Sequence, residues 1–379
     1  MKNLFRVCSL RFLNRRLKFH IDSDNIKGGY GLLNSKASLD NFPQKEQSTQ
    51  SISCDRSTTY TRSKLSTSAK MQVVFLGTSM FPTANRSASS AILRFEDTSL
   101  LFDCGEGTFR QLQRTTIRPH DIDRIFIRGM KPDYIFGLPS FLCSKAMQAT
   151  NLEKPIEVFG PQGLRRYIRA NMRACFMRVP TKFMVHEFVV NKVKGINKRK
   201  WSLDEEPHED ELIGKDISCF EDGSWHLFAD DKFCVKAIRL DADSFCWGYV
   251  VEEVELHLKD KGLHSLESHG KRQKVVFAGY STLEKVLAVV ESADVLVYDV
   301  SPNCKNVLSL EPNSSGTMAG QFAKMAGTKC LVLTRFEDHA DQKIKNLLHT
   351  AGSSFGADAV IAAKDFMVVT VGSNTDSLQ

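Results

Sequence analysis

The sequence lacks any apolar stretch of the ~18–20 residues that a membrane-spanning helix requires, so we expect a chain without such helices. Its ten cysteines are scattered, and no two of them stand at the short spacing of a zinc knuckle or a redox dithiol. Most of them have apolar neighbours in the sequence, which is typical of small core residues. The cysteine pattern therefore indicates a reducing compartment.

The chain after residue 70 also has no excess of positive charge. Residues 1–70 hold 13 Lys and Arg against 5 Asp and Glu, a net charge of +8, whereas the whole chain carries +7. The part that follows is thus close to neutral, at about −1. Charge alone gives that part no nucleic-acid-binding surface.

The N-terminus has no acidic residue before Asp22. Basic and apolar residues alternate over residues 1–20, a composition that is typical of organelle transit peptides, although a basic disordered tail has the same composition. Residues 21–70 are polar and predict a disordered linker, and residues 372–379 predict a short tail. We expect the mature protein in the mitochondrial matrix.

Residues 71–371 carry the folded pattern. Short apolar strands run in one block and then alternate with helices, which predicts an α/β sandwich with helices outside two sheets. Residues 359–371 are expected to form the strand that closes the sheet. Within this domain, residues 191–216 pass from a basic to an acidic block and predict a charged surface insertion, a solvated loop rather than a binding element.

Four segments carry a family resemblance. They are FLGTSMFPTANRSASSAILRFE (75–96), LLFDCGEGTFRQLQR (100–114), IFIRGMKPDYIFGLPSFL (125–142), and the C-terminal pair LVLTRFEDH and KDFMVV. In this order they resemble short-form tRNase Z, the metallo-β-lactamase family that trims the 3′ trailer from precursor tRNA. The resemblance implies the metallo-β-lactamase αββα sandwich over residues 71–371.

The resemblance also implies a centre of two zinc ions that holds an attacking hydroxide. The family's main ligand cluster is His-x-His-x-Asp-His, and residues 128–134 stand in its place without a gap. Its histidine positions hold Gly129, Lys131 and Tyr134, and only Asp133 is kept. The remaining family positions are changed as well; they are Ala242, Tyr280 and Arg335 for ligands, and Tyr298, Asp299 and Asn313 for accessory residues.

These substitutions predict that the chain has no metal cofactor and no catalytic residues, with Asp133 as a relic. Removing two dications would leave Asp133 and Asp299 uncompensated in a buried pocket, which is costly. Lys131 and Arg335 could supply the missing charge through ion pairs. We expect Asp103 and Glu106 to be structural and to bond backbone amides near the rim of the old site.

The resulting hypothesis is a catalytically degenerate protein, a non-catalytic subunit or scaffold in organellar tRNA 3′-end processing or in a ribonucleoprotein assembly. Protein partners are expected, because the folded part is neutral and only residues 256–274 stand where the family inserts a tRNA-gripping arm. RNA contact is expected first at Arg165, Arg166 and Arg169, although a solvated helix has the same composition. The alternatives are an active tRNA 3′-processing endoribonuclease with an altered metal site and an anion pocket formed by Lys131, Tyr134 and Arg335.

Overall fold

Two β-sheets packed face to face form the centre of the protein. The structure is a computed structural model, and it describes residues 71–148, 155–179, 181–190, 206–240, 246–254, 272–279, 281, 284–300, 314–337 and 341–372. The predicted leader and linker, the first part of the predicted insertion and nearly all of the predicted tail lie outside these residues. No helix in the described part is long and apolar enough to cross a membrane.

The first sheet is built mainly from the N-terminal half. Its strands are β1 (Gln72–Gly77), β2 (Ser90–Phe95), β3 (Thr98–Phe102), β4 (Ile122–Phe126), β5 (Ile156–Pro161), β6 (Phe183–Val189), β7 (Glu211–Leu212), β8 (Asp216–Ser218) and β16 (Val368–Thr370). Their order is β16-β1-β2-β3-β4-β5-β6-β7, and β8 also pairs with β6. Pairing is antiparallel from β16 to β3 and parallel from β3 onward.

The second sheet repeats this change from antiparallel to parallel pairing. Its strands are β9 (Ser224–Ala229), β10 (Phe233–Arg239), β11 (Trp247–Glu253), β12 (Lys274–Gly279), β13 (Val295–Asp299), β14 (Cys330–Thr334) and β15 (Val360–Ala362), in the order β15-β14-β13-β12-β11-β10-β9. Pairing is parallel from β12 to β15. Parallel strands of one sheet end at the same edge, so side chains that follow them are brought together.

Helices cover the outer faces of both sheets. They are α1 (Thr108–Leu112), α2 (Pro132–Ile135), α3 (Leu138–Gln148), α4 (Leu164–Ala174), α5 (Glu284–Val290), α6 (Ser314–Met325) and α7 (Asp341–Phe355). Aromatic rings fill the space between the sheets: Phe102 stacks on Phe277 of the other sheet with ring centroids 4.0 Å apart. Two further apolar cores lie under the helices, which confirms the predicted αββα sandwich.

The C-terminal prediction was wrong in one respect. Residues 359–371 do not form a single closing strand, because β15 ends the second sheet and β16 joins the first. The chain turns between them at Phe366, whose φ is +68°. Alternating apolar residues fit either sheet, so the sequence pattern did not reveal the change of sheet. The strand β9 was also not predicted.

The second half of the predicted insertion differs from the prediction as well. Residues 206–218 include two short strands, β7 and β8, that pair with β6. Asp210 and Glu211 are buried rather than solvated, because arginines from α4 and from the chain after it pair with them. These two acidic residues therefore pack against the arginines of α4 and of the chain after it, and do not lie in a solvated surface loop.

Candidate functional site

The candidate site lies where parallel strands of the two sheets end. In the first sheet, Asp103 directly follows β3 and Arg128 comes two residues after β4. In the second, Asp299 is the last residue of β13 and Arg335 directly follows β14. The backbone N–H of Trp247, at the start of β11, donates to the carbonyl of Arg128 at 2.8 Å, which joins the two sheets at this point.

Arg128 connects two buried carboxylates. Its backbone N–H donates to Asp103 Oδ1 at 2.9 Å, and its Nε donates to Asp103 Oδ2 at 2.6 Å. Its Nη1 donates to Asp299 Oδ1 at 2.9 Å. The other oxygen of Asp299 accepts a hydrogen bond from the Tyr134 hydroxyl at 2.8 Å. Both oxygens of Asp299 therefore have protein donors.

Arg335 pairs with Asp133, the residue predicted from the sequence to be the relic of the family's main ligand cluster. Its side chain is 0% exposed, and its Nε donates to Asp133 Oδ2 at 2.5 Å. The guanidinium carbon of Arg335 lies 4.8 Å from the centroid of the Tyr134 ring, and that of Arg128 lies 5.3 Å from the same ring. We call these six residues the arginine network: Asp103, Arg128, Asp133, Tyr134, Asp299 and Arg335.

The backbone at Arg335 is unusual for a side chain of this size. Its φ is +61°, in the left-handed region that non-glycine residues seldom adopt. The next residue, Phe336, fixes this turn through two backbone hydrogen bonds. Its N–H donates to the carbonyl of Thr78 at 3.0 Å, and its carbonyl accepts from the N–H of Met80 at 3.0 Å. The fold thus holds Arg335 in a strained conformation that directs its side chain to Asp133.

Burial and charge together set the ionisation of the network. Burial raises the pKa of Asp103 to about 6 against the opposing charge of Arg128, so the carboxylate is ionised at neutral pH. Burial alone would lower the pKa of Arg128, but Asp103 and Asp299 hold it well above its usual value. Burial would also lower the pKa of Arg335, whereas Tyr134, Asp299 and Asp133 raise it. Both guanidinium groups are therefore permanent cations.

The described residues do not fit the two zinc ions that the fold family implies. Zinc takes unprotonated nitrogen, sulfur or carboxylate donors, and a neighbouring guanidinium repels a dication. Gly129 offers no side chain, and the carboxylates of Asp133 and Asp299 are engaged by Arg335, Arg128 and Tyr134. No group of three or more His, Cys, Asp or Glu within the described ranges could hold a metal ion.

The structure brings only some of the predicted site residues together. Asp133, Tyr134, Asp299 and Arg335 meet in the arginine network, and Gly129 is buried beside it. Lys131 occupies the N-cap position of α2, without a capping hydrogen bond from its side chain, and is half-buried. Tyr298 packs under the helices of the second sheet, with its ring centroid 5.8 Å from that of Phe322. The predicted positions that lie outside the described residues are Ala242, Tyr280 and Asn313.

Sequence reasoning missed Arg128 as a member of the site. It named Lys131 as the second cation, whereas the cation that the structure places on Asp299 is Arg128. A signal was present, because an arginine directly after a buried apolar strand needs a carboxylate partner. Asp103 was expected to be structural and to bond a backbone amide, and its bond to the N–H of Arg128 confirms this.

The arginines of α4 have protein partners. Arg169 is 10% exposed at its side chain, and its Nε lies 2.6 Å from Glu211 Oε2. Arg165 contacts Glu187 at 3.6 Å and Asp216 at 2.9 Å, and Arg166 is half-buried. Arg169 is thereby committed to an internal ion pair. RNA contact along this helix stays a prediction.

Comparison with known proteins identifies relatives over almost their whole length. The family model described as "Anti-Pycsar protein Apyc1" matches residues 71–199. "Zinc phosphodiesterase ELAC protein 1" of Bos taurus is 30% identical, and the alignment covers 79% of this chain and 98% of that protein. "Ribonuclease Z" of Streptococcus sanguinis is 29% identical, with 69% of this chain and 88% of that protein covered.

A solved structure agrees with these relatives. The crystal structure of human tRNase Z, short form, matches with a TM-score of 0.57 and 28% sequence identity, and it covers 80% of this chain and 100% of that one. The long-form RNase Z from yeast, at 13% identity and a TM-score of 0.50, shares the fold. The similarity therefore extends over the whole folded domain.

Proposed function

The chain belongs to the short-form tRNase Z family of the metallo-β-lactamase superfamily, and from this premise we propose that it is a catalytically degenerate member of that RNA-processing family. Its proposed role is that of a non-catalytic subunit or scaffold. It would serve tRNA 3′-end processing or a ribonucleoprotein assembly in an organelle. The folded domain would bind partners and would not cleave RNA.

One observation carries this proposal. The Arg335 guanidinium is fully buried and lies 2.5 Å from Asp133, the single ligand position at which the chain keeps a family ligand. A zinc ion would need the same carboxylate and would stand next to a fixed cation in a site closed to water. An arginine cannot be deprotonated to relieve this repulsion. The arginine network therefore supports a protein that folds without metal at this position.

The first test is metal content together with cleavage of a precursor tRNA by the full chain. We expect less than about a tenth of an equivalent of zinc or manganese per chain by elemental analysis, and no 3′ cut when either ion is added. Human tRNase Z short form is the matched control for the substrate and the assay. Near two equivalents and a correctly placed cut would instead identify an active endoribonuclease with an altered metal site.

Partners and location form the second part of the proposal. The basic, acid-free residues 1–20 support import into the mitochondrial matrix, and the near-neutral folded part supports protein partners over autonomous RNA binding. A fluorescent fusion of the full chain should colocalise with a matrix marker, and a fusion of residues 71–379 should not. Cytoplasmic fluorescence from the full chain would contradict the location.

A further inference from the structure

A cluster of three sulfur atoms lies between α3 and α4, apart from the arginine network. Cys143 Sγ is 3.6 Å from Met177 Sδ and 3.9 Å from Met172 Sδ. Cys143 and Met172 are buried and Met177 is half-buried. We call these three residues the sulfur cluster. Nothing in the proposed function of the chain uses them.

The separations of these sulfur atoms match those of a shared metal ion. Three sulfurs at ~2.3 Å from one ion in a trigonal arrangement lie ~4 Å from one another. The two separations in the sulfur cluster, 3.6 and 3.9 Å, need only small shifts to reach this geometry. Methionine adapts easily, because its side chain has three rotatable bonds.

The sulfur cluster lies beside a surface cleft of about 460 Å³, which Met172 and Met177 help to line. Met177 is half-buried, whereas Met172 and Cys143 are buried. Cys175 is exposed, and it is close enough to Cys143 for its charge to act on that thiol. An ion entering the cleft would therefore first meet Met177, with Met172 and Cys143 behind it.

The donor set selects the kind of ion. Thiolate and thioether ligands are soft and favour Cu(I), whereas calcium and magnesium need oxygen ligands. The Glu209 carboxylate, which lines the cleft, is engaged by Arg178 at 2.6 Å, and Arg178 also contacts Asp210 at 3.0 Å. One thiolate and one Cu(I) also make a neutral pair, which suits the apolar surroundings of Cys143.

We propose that the sulfur cluster binds one Cu(I) ion through the Cys143 thiolate and the thioethers of Met172 and Met177. The Cys143 S–H bond breaks, a sulfur–copper bond forms, and one proton passes to solvent. Copper enters as Cu(I), so no electron is transferred. The bound ion joins α3 to α4, and it raises the thermal stability of the chain.

Burial, with a contribution from Cys175, raises the pKa of the Cys143 thiol to about 11. The metal-free thiol is therefore protonated at neutral pH, and metal coordination deprotonates it. Binding must then release one proton per ion and must weaken as the pH falls. This pH dependence distinguishes the buried thiol from a thiol that is already partly ionised.

The test is transfer of Cu(I) from a colorimetric chelator to the full chain, without oxygen and with excess glutathione to suppress binding at isolated thiols. The wild-type chain should retain one equivalent. Met177→Leu, which conserves volume, and Cys143→Ala should each weaken binding at least 10-fold. Met325→Leu, at a methionine that is 64% exposed on another helix, is the control and should bind like wild type.

The outcomes separate a metal site from core packing of sulfur atoms. X-ray absorption of the copper-loaded chain should show sulfur ligands only, at ~2.3 Å. Circular dichroism of the metal-free variants should match wild type, so that lost binding is not lost folding. The proposal would be overturned if the wild-type chain retained no copper, or if Met177→Leu bound copper as tightly as wild type. It would also be overturned if copper binding were lost in Cys175→Ser but not in Cys143→Ala. This proposal stands or fails separately from the tRNA-cleavage test.

Discussion

The arginine network and the Asp365 turn are two polar clusters at strand ends, and they differ in what their side chains bind. In the Asp365 turn, the carboxylate accepts hydrogen bonds from Thr78 Oγ1 at 2.7 Å, from the Ser87 backbone N–H at 2.7 Å and from Gln111 Nε2 at 3.2 Å. These residues lie in segments that keep the family pattern. Most of the arginine network lies in segments of that set too, but the resemblance predicts metal ligands at the positions of its Tyr134 and Arg335.

The difference shows which constraint each cluster serves. Asp365 fixes the turn after β1 and the return of the chain into β16. In the arginine network, the resemblance predicts that Asp133, Tyr134 and Arg335 stand at metal-ligand positions of the family, and the buried charges are balanced by ion pairs. The Asp365 turn therefore joins backbone segments, whereas the arginine network pairs buried charges.

The strongest test of this comparison is Arg335→Met. It should lower the free energy of unfolding by ~3–5 kcal/mol, because Asp133 would remain buried without its cation. Adding Asp133→Asn should recover part of the loss, since an amide costs less to bury than a carboxylate. Chemical denaturation measures both changes. Lys131→Ala, at a half-buried position, is the matched control, with an expected loss below ~1 kcal/mol.

Equal losses for Arg335→Met and Lys131→Ala would contradict this view of the network. They would mean that Lys131 compensates the carboxylates as much as the buried arginine does. Full stability of Arg335→Met would mean that Asp133 needs no cation.

An intermediate loss is expected at the Asp365 turn. Asp365→Asn keeps the size of the side chain but replaces one acceptor oxygen with a donor, which faces the Ser87 N–H or the Thr78 hydroxyl. The unfolding free energy should fall by ~1–3 kcal/mol, the cost of leaving such groups unsatisfied. Because no buried charge is abandoned, the loss should stay below that of Arg335→Met. A larger loss would reverse the order of the two clusters.

A further effect should appear in the pH dependence of stability. Burial raises the folded-state pKa of Asp103 to about 6, above its unfolded value of ~3.9. Between these values the folded chain retains a proton that the unfolded chain has released, so the contribution of Asp103 to stability falls as pH rises through this window. Denaturation at pH 4 to 7 should show this slope in wild type and not in Asp103→Asn. An identical slope in both would assign the titration to another group.

The sequence was sufficient to predict the αββα architecture, because strands and helices alternate with clear apolar periods. It did not reveal that residues 359–371 divide between two sheets, since the apolar pattern is the same on either. It also placed Glu211 in a solvated loop, although this side chain is buried against Arg169. Local composition does not show which distant charge a residue will meet.

The sequence by itself predicted, through the family resemblance, that imidazole ligands are missing, that Asp133 is retained and that Arg335 stands where a ligand would. Only the tertiary structure decided how the charges pair. Arg335 reaches Asp133 across 202 residues of sequence, and Arg128 reaches Asp299 across 171. These partners meet because parallel strands of two facing sheets end at one place, and burial there makes each unpaired charge costly. The charged residues are therefore encoded locally, whereas their pairing is a property of the fold.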